Sequence, residues 1–371
     1  MKKIIRSGIE YFEEIRRFIE TYLELKNEFE IDIMAAYAIG TYFYSQLPAY
    51  PYIYFDGMPG SGKTKAGQVM ECVCNNAYIT SGMTDRSMVR MIDDAHHVNS
   101  PDKDSDLRPD RGPLTLVYDE VDLSRQSGSG EQRRLVLSGY KKGIPFVILE
   151  EITVEKRKTY QPRTFETYCP KIFCAFRYPD PEIRSRCIVI RMVPGMNPDI
   201  THTTPLGRKG EMQKFRGSVK TFCESKSHEI LSLWNELKMP RHFLGRTVEL
   251  WKPLLIAAKL VDQETYDKML IIAGDYQAEE LARMRDHPHC LVVEALTEAV
   301  KASGWYSNKD LMLDVSEKDD NITSEKLGYI MRDLGFPARR SSEGVQYSVT
   351  MEKLSGLVLY YGIELKDVRK A

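Results

Sequence analysis

The chain has 371 residues, 42% hydrophobic and 28% charged, an ordinary globular composition with length for two or three domains. A formal net charge of −1 excludes a global basic field, so any polyanion site must be local. Seven scattered cysteines point to reduced thiols, no apolar run reaches the roughly 18 residues that span a bilayer, and the basic start lacks a signal-peptide core. The expectation is therefore a cytoplasmic protein without membrane attachment.

Residues 8–46 read as helical, with apolar residues three and four apart in Ile9, Phe12, Ile15, Phe18, Ile19 and Tyr22, and again in Ile33, Ala36, Tyr37 and Ile39. Pro48 and Pro51 end that segment before an apolar strand, 52–56. A second strand is expected at 78–80 and a helix over 84–95 with Thr84 as its cap. The polar, proline-bearing run 99–112 reads as a surface loop. A buried-type strand, 114–120, ends in two acids, and 131–140 reads as helix. Residues 146–153 and 163–168 are β-rich and flank a basic connection, a hairpin signal. Strands follow at 171–176 and 187–192. The alternation of helix with short apolar strands predicts an α/β fold with a parallel sheet. Beyond a polar stretch at 199–210 the chain is mostly helical to 285. Three helices and a hairpin closing on Glu343-Gly344 then suggest a winged helix.

The strand 52–56 runs into G-x-x-x-x-G-K-T over 57–64, a phosphate-binding loop. Gly57, Gly60 and Gly62 let the backbone close on a polyphosphate, Pro59 and Ser61 complete the turn, and the loop amides with the following helix form an anion nest. Lys63 supplies a point charge for the β- and γ-phosphates and Thr64 a hydroxyl for Mg2+; Lys65 opens the helix beside them. Asp119 and Glu120 end a strand that an open α/β sheet places beside the loop. Asp119 would hold the magnesium through its water shell, and Glu120 would orient and deprotonate the attacking water. Between two strands lies Glu182-Ile183-Arg184-Ser185-Arg186; either arginine could reach a γ-phosphate, and such a cation often comes from a neighbouring subunit.

On GMPGSGKT (57–64), SGMTDRSMVRMID (81–93), LVYDE (116–120), KIFCAF (171–176), EIRSRCIVIRM (182–192) and GRTVELWKPLLIAA (245–258), the chain resembles the AAA+ ATPases. More narrowly it resembles the helicase-like ATPases of mobile elements, plasmids and viruses, some of which are joined to primase-polymerases. The resemblance implies an N-terminal helical segment (1–50), an AAA+ core (51–198), a helical lid (199–286) and a winged-helix-like domain (287–371). It implies ATP as the nucleotide, Arg186 as the arginine finger and Arg246 as the second sensor, on the nucleotide. It also implies a homo-oligomer, a hexameric ring working on DNA in replication or maintenance of a mobile element, with a primase or other replication partner. The chain departs from the pattern at the first sensor, where Cys174-Ala175-Phe176-Arg177 carries no Asn or Thr; Arg177 is a weak substitute.

Residues 125–191 hold fourteen basic and seven acidic side chains, a local excess of +7 in a chain of net charge −1. Within them, Lys156, Arg157, Lys158 and Tyr160 occupy the basic connection that related ring ATPases point into a central channel. There the cations could grip a phosphate backbone and the ring stack on a base. Residues 287–371 hold eleven basic and thirteen acidic residues, so partner docking is as well supported there as duplex binding. The leading expectation is an ATP-hydrolysing motor that translocates on or unwinds DNA. The alternative is an ATP-dependent switch or loader acting on DNA or a protein partner without processive unwinding. A protein remodeller is disfavoured, because no aromatic-apolar-Gly pore loop is found.

Overall fold

The computed structural model describes residues 6–96, 112–123, 130–154, 157–175, 179–241, 243, 245–285, 287–342 and 344–363. Residues divide into two compact units, 1–273 and 274–371.

In the first unit, α1 (Gly8–Tyr22) and α2 (Glu28–Gly40) each start with a capping box, Ser7 with Glu10 and Asn27 with Glu30, which satisfies first-turn amides that have no helical partner. The two helices bury different surfaces. α1 buries one stripe, whereas α2 is buried all round from Glu30 to Gly40. Its one deeply buried acid, Asp32, forms ion pairs with Arg16 (2.8 Å) and Lys268 (2.6 Å), as a charge in that setting requires.

Then come β1 (Tyr52–Asp56), α3 (Lys63–Val73), β2 (Ala77–Thr80), α4 (Asp85–His96), β3 (Thr115–Val121) and α5 (Gly130–Ser138). They lead to the hairpin β4 (Phe146–Val154) and β5 (Arg157–Phe165), then β6 (Lys171–Ala175), the short α6 (Pro181–Arg184) and β7 (Cys187–Arg191). The five strands outside the hairpin form one parallel sheet, ordered β2-β3-β6-β1-β7. Tyr52 to Phe55, Thr115 to Tyr118 and the whole of β6 are buried, the run of apolar residues expected where both sheet faces are covered. Lys171 is buried at the start of β6. Its ammonium donates to the carbonyls of Thr167 (2.9 Å), Cys169 (3.3 Å) and Gly139 (3.4 Å), and burial lowers its pKa below the ordinary lysine value.

The short turns α7 (Pro198–Thr201) and α8 (Arg208–Glu211) precede a run of helices, α9 (Gln213–Ser225), α10 (Ser227–Glu236), α11 (Arg246–Val261) and α12 (Gln263–Met284). α11 packs on α2 and α1 and buries Trp251 completely. The division between units falls within α12, earlier than the linker at 287 that the sequence suggested.

The second unit continues with α13 (Pro288–Ala299), β8 (Gly304–Ser307), α14 (Asn308–Lys318), α15 (Ser324–Asp333), β9 (Ala338–Ser341), β10 (Gly344–Val349) and α16 (Met351–Tyr361). β8, β10 and β9 form an antiparallel sheet in that order. Val293, Leu296, Leu311, Leu327, Met331 and Val349 are among its core residues. The sequence anticipated the three helices and the β9–β10 hairpin but neither β8 nor α16.

One expectation needs correction. The basic connection is not a loop: β5 begins at Arg157, so Lys158 to Pro162 are strand residues paired with β4. Pro162 stands in a two-stranded ribbon, where each strand has one open edge, the setting in which a strand accommodates proline. The 99–112 loop lies almost wholly outside the described residues.

Candidate nucleotide-binding site

β1 ends at Asp56 and the chain turns through 57–62 into α3. The turn is built on close approach. A Cβ on Gly57 would lie 2.4 Å from the Met192 carbonyl, and Met192 N donates to Asp56 O at 2.7 Å, so the loop is pressed against the exit of β7. Gly60 (φ +80°) and Gly62 (φ +87°) hold left-handed conformations that a side chain would strain. Gly62 is the N-cap of α3 and offers no capping side chain, so the amides of the first turn lack the partner that a Ser or Asp would supply. Pro59 is exposed on the outside of the turn.

A cavity of about 380 Å³ opens over this turn, lined by Gly60 to Lys65, Gln68, Asp119, Cys174 and Thr204. The Lys63 ammonium donates to the carbonyls of Gly57 (2.5 Å) and Met58 (2.9 Å). Burial lowers its pKa, against the pull of Asp56 and Asp119. Lys65 faces the other way and donates to Ile200 O at 2.6 Å.

β6 lies between β1 and β3, so Asp119 stands two strands from the loop, on the order of 9–10 Å along the sheet. The Thr64 hydroxyl nevertheless donates to Asp119 Oδ1 at 3.0 Å. Gly67, a residue the sequence reading missed, makes this reach feasible. A Cβ there would sit 2.8 Å from Cys174 Sγ and 3.1 Å from Val117 Cγ1, so only glycine lets α3 lie this close over β6 and β3. Gly67→Ala should lift the helix, cost about 1–3 kcal/mol and weaken Mg2+-dependent nucleotide binding. Adding Cys174→Ala should return part of both losses, as read by thermal melting and by a Mg2+ titration.

Glu120 follows at a bulge. The β3–β6 register shifts between Asp119 and Val121, and Glu120 takes φ +56°, a left-handed conformation rare for a non-glycine residue. The bulge exposes its side chain beside a second cavity of about 220 Å³, lined by Thr80, Ser81, Asp119, Asp122 and Gln132 among others. Glu120 N donates to Asp119 Oδ1 at 3.1 Å, so one oxygen of Asp119 ties the loop helix to the bulge. Strain of this kind concentrates at functional sites.

Two of the sequence-chosen arginines, Arg186 and Arg246, are brought together, but not to this cavity. Tyr52 N donates to Arg186 O at 2.9 Å, which fixes Arg186 at the entrance of β1, while the loop lies at its exit. The Arg186 guanidinium sits over the Tyr140 ring at 5.8 Å, and Arg246 over the same ring at 5.2 Å. Burial and the adjacent Arg246 lower the Arg186 pKa, and its Nε is buried without a hydrogen-bond partner among the described residues. Arg246 also pairs with Glu249. Arg246, expected on the nucleotide, thus stands beside Arg186 at the end of the sheet opposite the 57–62 turn. Tyr140, which the sequence did not single out, is the ring that gathers them. Cys174, near the end of β6, lines the cavity over the 57–62 turn; Arg177 lies outside the described residues.

On the hairpin, Lys158 and Tyr160 are two apart on β5 and share a face, 73% and 64% exposed. Lys158 is 2.7 Å from Glu151, and Arg163 is 3.3 Å from Glu150, which also pairs with Arg90. The hairpin's cations are therefore partly matched by its own acids. Lys156 lies outside the described residues, and Arg157 is placed by its backbone only.

Among the described residues no helix is long and apolar enough to cross a membrane. No protein-family model matches the chain, and no curated protein matches it. Among solved structures, one titled "SCCmec type IV Cch - active helicase" aligns over 95% of this chain and 71% of its own, at 12% identity and a TM-score of 0.47. At that identity and score no residue's role passes from one chain to the other.

Proposed function

We propose that the chain is an ATP-hydrolysing motor of the AAA+ kind that assembles as a homo-oligomeric ring, a hexamer, and translocates on or unwinds DNA. The observation that carries the reading is the Thr64–Asp119 hydrogen bond across two strands, above a glycine-rich turn whose helix N-cap, Gly62, makes no side-chain cap bond. A hydroxyl and a carboxylate at that separation are the oxygen donors a hard divalent cation takes. Thr64 would hold Mg2+ directly and Asp119 through water. The cation, when bound, would draw charge from the β- and γ-phosphates.

The remaining work falls to the chain's own groups. The Gly60–Thr64 amides and Lys63 would hold the phosphates, the ammonium exchanging two carbonyls for phosphate oxygens. Glu120, aimed by its bulge, would take the proton of the attacking water. Arg186 and Arg246, at the opposite edge of the sheet, are suited to the nucleotide of the adjoining protomer. That arrangement supports a ring in which each site is closed by a neighbour. It makes a sharp prediction. Lys63→Ala and Arg186→Ala proteins should each be inactive, yet an equal mixture should recover up to about a quarter of wild-type hydrolysis, because some interfaces pair an intact loop with an intact arginine. Absence of recovery would count against the shared site.

The exposed Lys158–Tyr160 face would meet the DNA, by phosphate contact and base stacking. The second unit reads as a winged helix that docks a duplex or a replication partner such as a primase. Hydrolysis measured without polymer and with single strands, duplex or RNA tests the motor reading; a rate indifferent to all of them contradicts it. The pairing of hairpin cations with Glu150 and Glu151 favours a second reading, an ATP-dependent switch or loader that assembles without processive movement. Nucleotide-driven oligomerisation without strand displacement would select that one.

A further inference from the structure

Arg186 follows α6, a helix of four residues. A helix that short has no stability of its own, so the aim of Arg186 depends on what fastens the turn. To the turn itself the arginine is well tied. Arg186 N donates to Ile183 O at 2.9 Å, and its Nη1 donates to Glu182 O at 2.5 Å. Guanidinium and turn therefore move as one piece.

The ties that leave the turn lead to α5. Asp180, the N-cap of α6, is buried, and its Oδ1 accepts from Glu182 N at 2.9 Å and from Arg133 Nη2 at 3.4 Å. The same Nη2 donates to Glu182 Oε2 at 2.6 Å. Glu182 thus links the two arginines: its carboxylate holds Arg133 and its carbonyl holds Arg186. α5 is a firm reference for this link. Leu135 and Val136 are fully buried, and the Tyr52 hydroxyl donates to Val136 O at 2.8 Å. The Tyr140 ring, just beyond the end of α5, lies under Arg186. An ion pair as exposed as Arg133–Glu182, with side chains 41% and 60% accessible, adds little to stability. What it fixes is orientation, and a reacting group displaced by about 1 Å can lose a hundredfold in rate.

We infer that Arg133 is a positioning residue for the arginine that this chain lends to the adjoining protomer, acting through Glu182 and Asp180. The inference rests on the shared-site reading above. It places the defect of an Arg133 variant in the neighbour's site and not in the chain's own loop.

Mixed rings separate those two places. Lys63→Ala lends an intact arginine but has no working loop, whereas Arg186→Ala has a loop and no arginine to lend. Hydrolysis of ATP is measured for Arg133→Ala alone and in equal mixture with each, alongside nucleotide binding and melting temperature. Alone, it should bind ATP within about twofold of wild type and hydrolyse it about tenfold or more slowly. Mixed with Lys63→Ala it should recover up to about a quarter of the wild-type rate; mixed with Arg186→Ala it should stay at or below its own residual rate. Glu182→Ala, an exposed change that leaves α5 untouched, should repeat the pattern and decides the matter if Arg133→Ala melts low. Arg133→Lys, which keeps a cation on α5, should retain about a third of the wild-type rate or more. Wild-type hydrolysis by Arg133→Ala or by Glu182→Ala overturns the role of Arg133, as does recovery that is equal with both partners or absent with both. If Lys63→Ala and Arg186→Ala fail to restore each other, the shared-site reading falls and the inference with it.

Discussion

Lys63→Ala should lose nucleotide binding by about two orders of magnitude or more. The side chain is buried beside the cavity proposed to hold the phosphates, and burial lowers its pKa. A charge-assisted contact in so enclosed a place is worth about 1.5–3 kcal/mol, and its loss leaves the phosphates facing Asp119 with less positive compensation. Lys65 cannot substitute, because it is committed to Ile200 O. Lys63→Arg should fail almost as badly, since a planar guanidinium does not fit between the Gly57 and Met58 carbonyls that hold the ammonium. Fluorescent nucleotide titration reads the loss directly. A melting curve separates it from collapse of the loop, which Lys63 also braces.

Glu120→Gln should bind nucleotide as wild type does and hydrolyse it at least 100-fold more slowly. The amide keeps the shape of the side chain and its place on the bulge but cannot accept the proton of the water. The strained backbone at this position gives a second readout. Glu120→Gly should also abolish turnover, yet stabilise the fold by up to about 1 kcal/mol, because glycine takes φ +56° without penalty. Such a pair of results would mark a general base held in place at an energetic cost. Normal turnover by the Gln variant would remove Glu120 from the mechanism.

What could be read from the sequence was what is local. The Gly57–Thr64 spacing encodes a turn whose dihedrals and amides follow from those residues alone, and the acids at the end of an apolar strand follow from α/β topology. Order in the sheet was not local: nothing in the segments themselves says that β6 inserts between β1 and β3. The need for Gly67 arises from Cys174 and Val117, fifty or more residues away in sequence, so no pattern around residue 67 reveals it. The place of Arg246 beside Arg186 was hidden for the same reason, since it is the Tyr140 ring, far away in sequence, that both side chains meet. The hairpin was foreseen, but Pro162 and the run of basic residues disguised the start of β5 as a loop. β8 is four residues long, too short for alternation to show.

The central claim is that the Gly57–Thr64 turn and Asp119 hold a magnesium-bound triphosphate for cleavage. It is tested most directly by phosphate release from ATP as Mg2+ is raised from zero, with wild type and Asp119→Asn side by side. The account predicts no release without the cation, a saturable rise with it in wild type, and a curve displaced to higher Mg2+ with a lower plateau in Asp119→Asn. Release that is independent of Mg2+, or identical in the two proteins, would contradict it.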